Sequence, residues 1–447
     1  MNIIIIGAGA IGSQLTKRLS FEKHSITIIE KDPHVAAYAA EYLDAIVIEG
    51  SASSFKVLKQ ANIENTQVIA ALSNVDEVNI FACQIAKKLG VEITIARIRN
   101  PEFLSDDYVL NKKEMGVDFL IQPEKVAAQA IIRLIKQSNA TDIIEFDDGK
   151  IELVGIRIEK NAPVVHLPLR DLSVKFGDFR MNVVAIKRGQ FTIIPKGSDL
   201  ILAGDQIFII SEPNHLDNAL EMFGKKDVDI ENLMIIGGGM IARFLCSELG
   251  GDYKIKIIES NAMKAQKFSE DFPDPLIIKG DGSDMDLLNF EGLTDMDGFI
   301  AITGDDETNI ITSLVAKHLK VPRTITLTRK NEYLPLTPTI GLDATVSKQQ
   351  ITVNAIQKFI RRRNIAFFAE LPGVDAEIIE FIAQKGSKIT SKPLSSIKFP
   401  DHAIVGAILK NDKDLVIPKG NTQIEVNDKV IVFSLPQAIK NVEKLFR

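Results

Sequence analysis

The 447-residue chain has few of the residues that mark several common classes of protein. It has no tryptophan and only two cysteines, Cys83 and Cys246, so the sequence predicts neither a disulfide framework nor a cysteine-based metal cluster. Its six histidines are scattered along the chain without the spacing of metal ligands. We therefore expect a protein without a resident metal ion.

Long apolar runs and an excess of positive charge are also missing. No run approaches the roughly 18–20 apolar residues of a membrane-spanning helix, and the N-terminus enters a predicted strand without the pattern of a secretion signal. The net charge is −6, whereas a nucleic-acid-binding surface needs a basic face. These features predict a cytoplasmic protein that does not bind nucleic acid. The length of 447 residues predicts two to four domains.

What the sequence does have is a long internal repeat. MNIIIIGAGAIG at 1–12 returns as ENLMIIGGGMIA at 231–242, and ALSNVDEVNI at 71–80 returns as AITGDDETNI at 301–310, each time 230 residues later. Short β-branched runs alternate with amphipathic stretches around both copies, which predicts two α/β domains with Rossmann-like, doubly wound parallel sheets. The predicted strands are 2–6, 25–30, 45–48, 68–72, 92–98 and 118–121, and then 233–236, 254–259, 276–278, 298–302, 323–327 and 344–346.

A smaller module follows each predicted sheet. After helix candidates at 126–137 and 351–363 the pattern changes to short strands and turns, and TIIPKG at 192–197 returns as LVIPKG at 415–420, 223 residues later. The I-P-K-G sequence is typical of a turn, because proline fixes φ and glycine permits the reversal. We therefore predict Rossmann-like domains at 1–140 and 231–363, small α+β modules at 141–224 and 366–447, and a charged hinge at 224–229.

The glycine segment of the first copy predicts a nucleotide site. Gly7-Ala8-Gly9-Ala10-Ile11-Gly12 follows a predicted strand and opens a predicted helix, whose N-terminal N–H groups favour phosphates. The first glycine makes the tight turn, the second lets the backbone approach a pyrophosphate, and the third packs helix against strand. Glu30 ends the second strand, where a carboxylate accepts hydrogen bonds from the adenosine ribose. Since Glu30 would repel a 2′-phosphate, NAD(H), ADP or ATP is favoured over NADP.

The second copy predicts a second, non-identical site. Its segment is Gly237-Gly238-Gly239-Met240-Ile241-Ala242, in which alanine is an accepted variant at the third position. Glu259 closes the second strand of this copy and corresponds to Glu30.

Other polar residues recur near the carboxyl ends of the predicted strands, where ligands of open α/β sheets bind. An arginine there can bind a phosphate with a fork of donors, although a solvated charge is an equally good interpretation for Arg99 and Arg329. Asp76-Glu77 and Asp306-Glu307 are predicted to cap the N-termini of the helices that follow them rather than to take part in chemistry. The candidate binding residues are Ser51, Ser73, Asn74, Arg97 and Arg99 in the first copy and Asp281, Thr303, Gly304 and Arg329 in the second, where Leu327 replaces Arg97.

No catalytic constellation accompanies these sites. Tyr108-Val-Leu-Asn-Lys112 matches the Y-x-x-x-K of short-chain dehydrogenases, but it falls in a polar segment before the last strand rather than on a later helix. We interpret this match as chance and predict binding without catalysis. An NAD-dependent soluble oxidoreductase remains the alternative, and it would need a histidine, lysine or tyrosine placed to move a proton beside the hydride.

Together these motifs resemble the peripheral, cytoplasmic subunits of Trk-type potassium-uptake systems, which contain two RCK (also called KTN) domains. The resemblance covers essentially the whole chain and rests on IIIIGAGAIG with Glu30, GSAS at 50–53, ALSNVDEVNI, IARIRNPEF at 95–103, and the I-P-K-G and G-D turns. It implies a regulator that binds NAD(H) and adenine nucleotides. It also implies a homo-oligomeric, tetrameric ring on a potassium-translocating membrane subunit of the TrkH type, at the inner face of the cell membrane. A regulator of a different cation transporter is the alternative.

The resemblance also assigns residues. The chain departs from the family pattern at Ala10 and Met240, where many members have arginine. Glu124 resembles a carboxylate that some relatives use for a divalent cation, but the second copy has Ser347-Lys348-Gln349 there, and we predict no metal site. The dinucleotide is expected on Gly7–Ile11, Glu30, Ser73, Asn74 and Arg97, and in the second copy on Gly237–Ile241, Glu259, Thr303 and Gly304.

Overall fold

The structure is a computed structural model of the whole chain. It describes residues 1–447 apart from 22–23, 105–107, 147–149, 178–179, 226–228, 335, 362–367, 371–373, 411–413 and 447. Half of the predicted charged hinge, residues 226–228, and the predicted boundaries at 363 and 366 therefore lie outside the described residues. The chain divides into two compact units, Met1–Ala127 with Lys348–Ile360 and Ala128–Ser347 with Arg361–Arg447.

The first copy contains a six-stranded sheet whose paired strands are all parallel, as predicted, in the order β3-β2-β1-β4-β5-β6. From β1 the chain adds β2 and β3 on one side of the sheet and then β4, β5 and β6 on the other side. Open α/β sheets bind their ligands at this change of side, between β1 and β4. The strands are β1 (Asn2–Ile6), β2 (Ser25–Glu30), β3 (Ile46–Glu49), β4 (Val68–Ala71), β5 (Ile93–Arg97) and β6 (Phe119–Ile121). The helices are α1 (Ala10–Phe21), α2 (Pro33–Tyr42), α3 (Phe55–Gln60), α4 (Asp76–Lys88) and α5 (Pro123–Lys136).

Strand β1 shows why the predicted strands are apolar throughout. Ile3 and Ile5 belong to the core cluster on one face of the sheet, and Ile4 and Ile6 belong to the cluster on the other face. Side chains alternate between faces along a strand, so a sheet covered on both sides needs apolar residues at every position.

The first small module is an antiparallel sheet in the order β10-β9-β11-β8-β7. Its strands are β7 (Asp142–Phe146), β8 (Ile151–Arg157), β9 (Met181–Arg188), β10 (Phe191–Ile193) and β11 (Gln206–Ser211), and its helices are α6 (Leu172–Phe176) and α7 (Pro213–Met222).

The second copy repeats the parallel sheet in the order β14-β13-β12-β15-β16-β17. Its strands are β12 (Asn232–Ile236), β13 (Lys254–Glu259), β14 (Leu276–Lys279), β15 (Gly298–Ala301), β16 (Arg323–Thr328) and β17 (Ala344–Ser347). Its helices are α8 (Met240–Leu249), α9 (Ala262–Asp271), α10 (Met285–Phe290), α11 (Asp306–His318), α12 (Thr337–Ile340) and α13 (Lys348–Arg361).

The second small module repeats the strand order of the first, as β21-β20-β22-β19-β18. Its strands are β18 (Phe368–Glu370), β19 (Glu377–Ile382), β20 (Ala403–Lys410), β21 (Asp414–Val416) and β22 (Lys429–Ser434), and α14 (Ile439–Phe446) follows them. The two modules share a core cluster in which Val184 and Phe208 of the first lie with Ile431 and Phe433 of the second. No helix in the described part of the chain is long and apolar enough to cross a membrane.

Helix α13 follows the second sheet in sequence but packs on the first. Val353, Ile356 and Ile360 belong to the same buried cluster as Leu15 of α1 and Ile28 of β2. The rings of Phe119 and Phe359 stack with their centroids 4.6 Å apart. Arg18 of α1 donates hydrogen bonds to the side-chain oxygens of Asn354 (2.5 Å) and Gln357 (3.1 Å). The domain built on the first parallel sheet is therefore completed by a helix from the second half of the chain.

Candidate nucleotide sites

The glycine segment of the first copy turns tightly between β1 and α1. Gly7 has φ +94°, and its N–H donates to the carbonyl oxygen of Ile29 at 2.9 Å. A Cβ atom at Gly7 would lie 3.1 Å from Cα of Ser73, and one at Gly12 would lie 2.0 Å from the carbonyl oxygen of Gly7. Gly9 is exposed, and no atom would lie within 4 Å of its Cβ. The turn and the packing thus need the outer glycines, whereas Gly9 leaves open space.

Glu30 is held under this segment by backbone hydrogen bonds. Its Oε2 accepts from the N–H of Ala8 at 2.7 Å, and its Oε1 accepts from the N–H of Asp32 at 2.9 Å. A carboxylate has about four lone-pair positions, so two protein donors leave acceptor capacity for a ribose diol. Ala10 is the first residue of α1 and is exposed, and Ile11 is buried behind it.

The second copy builds the same arrangement. Gly237 has φ +104°, and its N–H donates to the carbonyl oxygen of Ile258 at 2.9 Å. Glu259 accepts from the N–H groups of Gly238 and Asn261, both at 2.8 Å. Glu259 is only 8% exposed, whereas Glu30 is half-buried. Met240 opens α8, Ile241 and Ala242 are buried, and Gly239 is exposed with open space at its Cβ position.

Buried asparagines lock the ends of the fourth strands, a feature that the sequence analysis missed. Ser73 donates to Oδ1 of Asn79 from its N–H at 3.0 Å and from its hydroxyl at 2.7 Å, and the Asn79 amide donates to the carbonyl oxygen of Arg97 at 2.8 Å. Thr303 and Asn309 repeat these bonds in the second copy, with the amide on Leu327. Asn79 lies in ALSNVDEVNI and Asn309 lies in its repeat, AITGDDETNI. Their recurrence at the same position is the sequence feature that could have identified them.

Asp76 and Asp306 do not cap helices through their side chains, contrary to the prediction. Oδ2 of Asp76 accepts from the N–H groups of Arg99 and Asn100, at 2.9 and 2.8 Å. Asp306 accepts in the same way from Arg329 and Lys330, both at 2.9 Å. In α11 the capping side chain is Asp305, whose Oδ1 accepts from the N–H of Thr308 at 2.7 Å. The buried aspartates instead fix the backbone that follows the fifth strand.

The arginines predicted to contact phosphate have different environments. Arg97 is half-buried, and its guanidinium donates to Oδ1 of Asn74 at 3.1 Å. Arg99 is exposed. Arg329 lies 3.4 Å from Asp306 and donates to the carbonyl oxygen of Gly304, so its guanidinium is held beside the fourth strand's end.

The residues after the third strands form local turns. The Ser51 and Ser53 hydroxyls are 2.8 Å apart. Asp281 accepts from both the N–H and the hydroxyl of Ser283, and these hydrogen bonds lower the pKa of its carboxyl. The structure thus brings the glycine segments, the two glutamates and the ends of the fourth and fifth strands to one edge of each sheet, while Ser51 and Asp281 lie in their own turns.

Comparison with known proteins gives the class of protein that this fold and these sites define. The TrkA-N domain family matches residues 3–123 and 233–348, and the TrkA-C domain family matches residues 153–224 and 378–447. The chain is 34% identical, over 100% of both chains, to the Trk system potassium uptake protein TrkA homolog 1 of Methanosarcina mazei. It is 32% identical to the Trk system potassium uptake protein TrkA of Vibrio alginolyticus, over 100% of this chain and 99% of the relative.

Solved structures share the fold. The GsuK RCK domain superimposes with a TM-score of 0.61 at 17% identity, over 100% of this chain and 94% of that one. The GsuK channel bound to NAD superimposes with a TM-score of 0.62 at 17% identity, over 100% of this chain and 78% of that one. The chain belongs to the TrkA family of Trk potassium-uptake proteins, with two TrkA-N and two TrkA-C domains, and the resemblance expected from the sequence is confirmed.

Proposed function

We propose that this chain is a non-catalytic, nucleotide-sensing regulatory subunit of a potassium-uptake system, and that it binds NAD(H), ADP or ATP. The observation that carries the proposal is the duplicated site, in which a strand-end glutamate and a glycine segment are joined by the same hydrogen bonds in both copies. NAD and ADP are the ligands named for the GsuK structures of similar fold.

The proposed ligand-binding residues are those of the sequence analysis. The adenosine ribose binds Glu30 or Glu259, and the pyrophosphate lies on the N–H groups of residues 7–11 or 237–241. The groups beyond the pyrophosphate lie over Ser73, Asn74 and Arg97 in the first site and over Thr303 and Gly304 in the second. Domain boundaries at 1–140, 141–224, 231–363 and 366–447 are part of this proposal.

The proposal that the protein is not a catalyst rests on the packing of Tyr108. This tyrosine belongs to the Y-x-x-x-K match and was the candidate proton donor in the sequence. Its ring packs edge-on against Phe103, with the centroids 5.0 Å apart, and forms part of the apolar cluster on one face of the first sheet. A tyrosine in such packing supports the structure rather than a hydride-transfer reaction.

The proposed partner is a TrkH-type potassium-translocating membrane protein, on whose cytoplasmic face a tetrameric ring of these subunits docks. A nucleotide shifts such a ring only by its differential affinity for two conformations. Co-purification with the partner, and potassium flux measured with each nucleotide, test this part of the proposal.

Alanine substitution of the two glutamates tests nucleotide binding. We expect Glu30→Ala and Glu259→Ala each to remove one class of sites, with affinity falling on the order of 10- to 100-fold, because a charged acceptor of ribose hydrogen bonds is lost. The measurement is calorimetric titration of the full chain with NAD⁺, NADH, ADP and ATP. Glu49→Ala is the control, since Glu49 ends β3 beside Glu30 but is exposed. Absence of binding in the unsubstituted protein would contradict the proposal.

A further inference from the structure

A cavity of about 620 Å³ lies at the edge of the second parallel sheet opposite its candidate nucleotide site. Arg323 begins β16 and Asp343 precedes β17, so the cavity is at the amino ends of the strands, whereas Glu259 lies at a carboxyl end. The first small module supplies the other wall, through Arg157 at the end of β8 and Lys225 after α7. All the residues that line the cavity belong to one compact unit of the chain.

Arg323 is the most deeply buried cation of this cavity, and most of its hydrogen-bond donors are unused. It is only 4% exposed. A guanidinium has five N–H groups. Both hydrogen bonds of Arg323 come from Nη2, to the carbonyl oxygens of Leu134 and Ala140, and neither Nε nor Nη1 donates to any described residue. Three of the five N–H groups are therefore without a protein acceptor, although buried polar groups in native proteins are normally paired.

The fold of the sheet does not require this arginine. The equivalent position of the first copy, 230 residues earlier at the start of β5, is Ile93, which is buried in the core cluster of the first sheet. An apolar residue thus serves at this strand end in the first copy. The hydrogen bonds of Arg323 to the end of α5 use Nη2 alone, so they do not account for its other donors.

The cavity has more positive than negative charge. Lys225 is paired with Glu159, and Lys317 is paired with Asp343. Asp142, next to Thr141 in the cavity wall, adds a further carboxylate, whose pKa burial raises to about 6. Even with Asp142, the cations outnumber the carboxylates among the described residues. The residues with charged side chains that line the cavity are Arg157, Lys225, Lys317 and Arg323, and Glu159 and Asp343.

We propose that this cavity binds the phosphate group of a small phosphorylated metabolite, with Arg323 and Arg157 donating hydrogen bonds to the phosphate oxygens. A phosphate monoester brings close to two negative charges and three strong acceptor oxygens. The planar guanidinium is the side chain best suited to such a group. The volume lies within the range of small-molecule sites, about 300–1,000 Å³, and is larger than a bare phosphate ion needs. Ser138, Asn139 and Leu342 line the remaining space.

This site goes beyond the proposed nucleotide binding and does not depend on it, because the two kinds of site lie at opposite edges of the sheet. Its walls come from the first small module on one side and from β16 and β17 on the other. A bound phosphate group would therefore link the first small module to the second sheet.

The experiment is calorimetric titration of the full chain with sodium phosphate and with glucose 6-phosphate, two probes without a nucleoside. We expect one equivalent to bind per chain, and glucose 6-phosphate to bind more tightly than free phosphate. Arg157→Gln and Lys225→Gln should each weaken binding on the order of tenfold, because each removes a charged donor while Arg323 keeps its contacts with α5. Lys160→Gln is the control, since Lys160 is exposed, follows Glu159 and does not line the cavity. Its affinity should stay within about twofold of the unsubstituted value.

The outcomes separate the parts of the proposal. Urea unfolding shows whether each variant is folded, and Lys225→Gln carries the test if Arg157→Gln is not, because the partner that it leaves, Glu159, is 62% exposed. If both probes bind equally and both substitutions weaken them, the site is supported but its ligand is free phosphate. If neither probe binds, the proposal is wrong. It is also wrong if Arg157→Gln and Lys225→Gln leave the affinity unchanged, since phosphate then binds elsewhere, as on the glycine segments.

Discussion

Replacing Gly12 with alanine should both destabilise the first nucleotide-binding domain and abolish nucleotide binding at its site. The new Cβ would lie 2.0 Å from the carbonyl oxygen of Gly7 and 3.5 Å from Cγ2 of Ile5. Because the clash is with backbone, it is relieved only if α1 moves away from β1. Overpacking of this kind costs about 1–3 kcal/mol in a core. Displacement of α1 also moves the N–H groups that would bind phosphate.

Gly9→Ala is the matched control for this prediction. No atom would lie within 4 Å of a Cβ at Gly9, so the free energy of unfolding should stay within about 0.5 kcal/mol of the unsubstituted value. Nucleotide affinity should still fall, since the methyl group stands where the pyrophosphate approaches the backbone. Urea unfolding and calorimetric titration of both variants separate the two effects. A Gly12→Ala protein with unchanged stability would contradict the geometry of the β1–α1 turn.

The second copy contains its own version of this comparison. Ala242 occupies the position of Gly12 and is fully buried in α8. The contact between α8 and β12 therefore leaves room for the methyl group of Ala242, whereas the contact between α1 and β1 leaves none at Gly12. This difference is local evidence that duplication did not leave two identical sites.

The parallel sheets were predictable from the sequence because their signal is local. The strand limits 2–6, 25–30 and 254–259 are reproduced as predicted, and the other predicted strands differ from the observed ones by a residue at one or both ends. Apolar runs such as IIII identify strands buried on both faces without knowledge of their neighbours.

The packing of α13 could not be predicted in the same way. Its periodicity indicates an amphipathic helix, but periodicity does not say which of two similar sheets the apolar face covers. Val353 and Ile356 would suit either. The ion pair between Lys348 and Glu124 (Nζ to Oε1, 3.0 Å) depends on that packing, so the sequence could not predict it either. Asn79 was missed for a different reason: an asparagine inside a helix pattern gives no local signal, and only its recurrence as Asn309 in the repeat marks it.

The sequence also gave no indication of the role of Arg323, and we expect its substitution to have a large effect on stability. At the start of β16 it reads as an ordinary solvated strand end, yet it is only 4% exposed. Its guanidinium donates to the carbonyl oxygens of Leu134 (3.1 Å), near the end of α5, and Ala140 (2.6 Å). Burial lowers its pKa to about 10, against the charges of Asp343 and Asp142, so it stays protonated at neutral pH. One side chain thus ties β16 to the C-terminal end of α5.

Arg323→Met should lower the free energy of unfolding by about 3–5 kcal/mol, because two charge-assisted hydrogen bonds disappear and two carbonyl groups lose a donor. Methionine fills similar space, so the loss reports the polar contacts rather than a cavity. Urea unfolding of the full chain measures it. Arg243→Met is the control: Arg243 pairs with Asp271 and lies over the rings of Phe268 and Phe272 in the same unit, and its loss should cost about 1–2 kcal/mol. Equal effects of the two substitutions would mean that Arg323 does not hold α5. A much larger loss at Arg323 would show that the second sheet depends on a helix supplied by the first half of the chain.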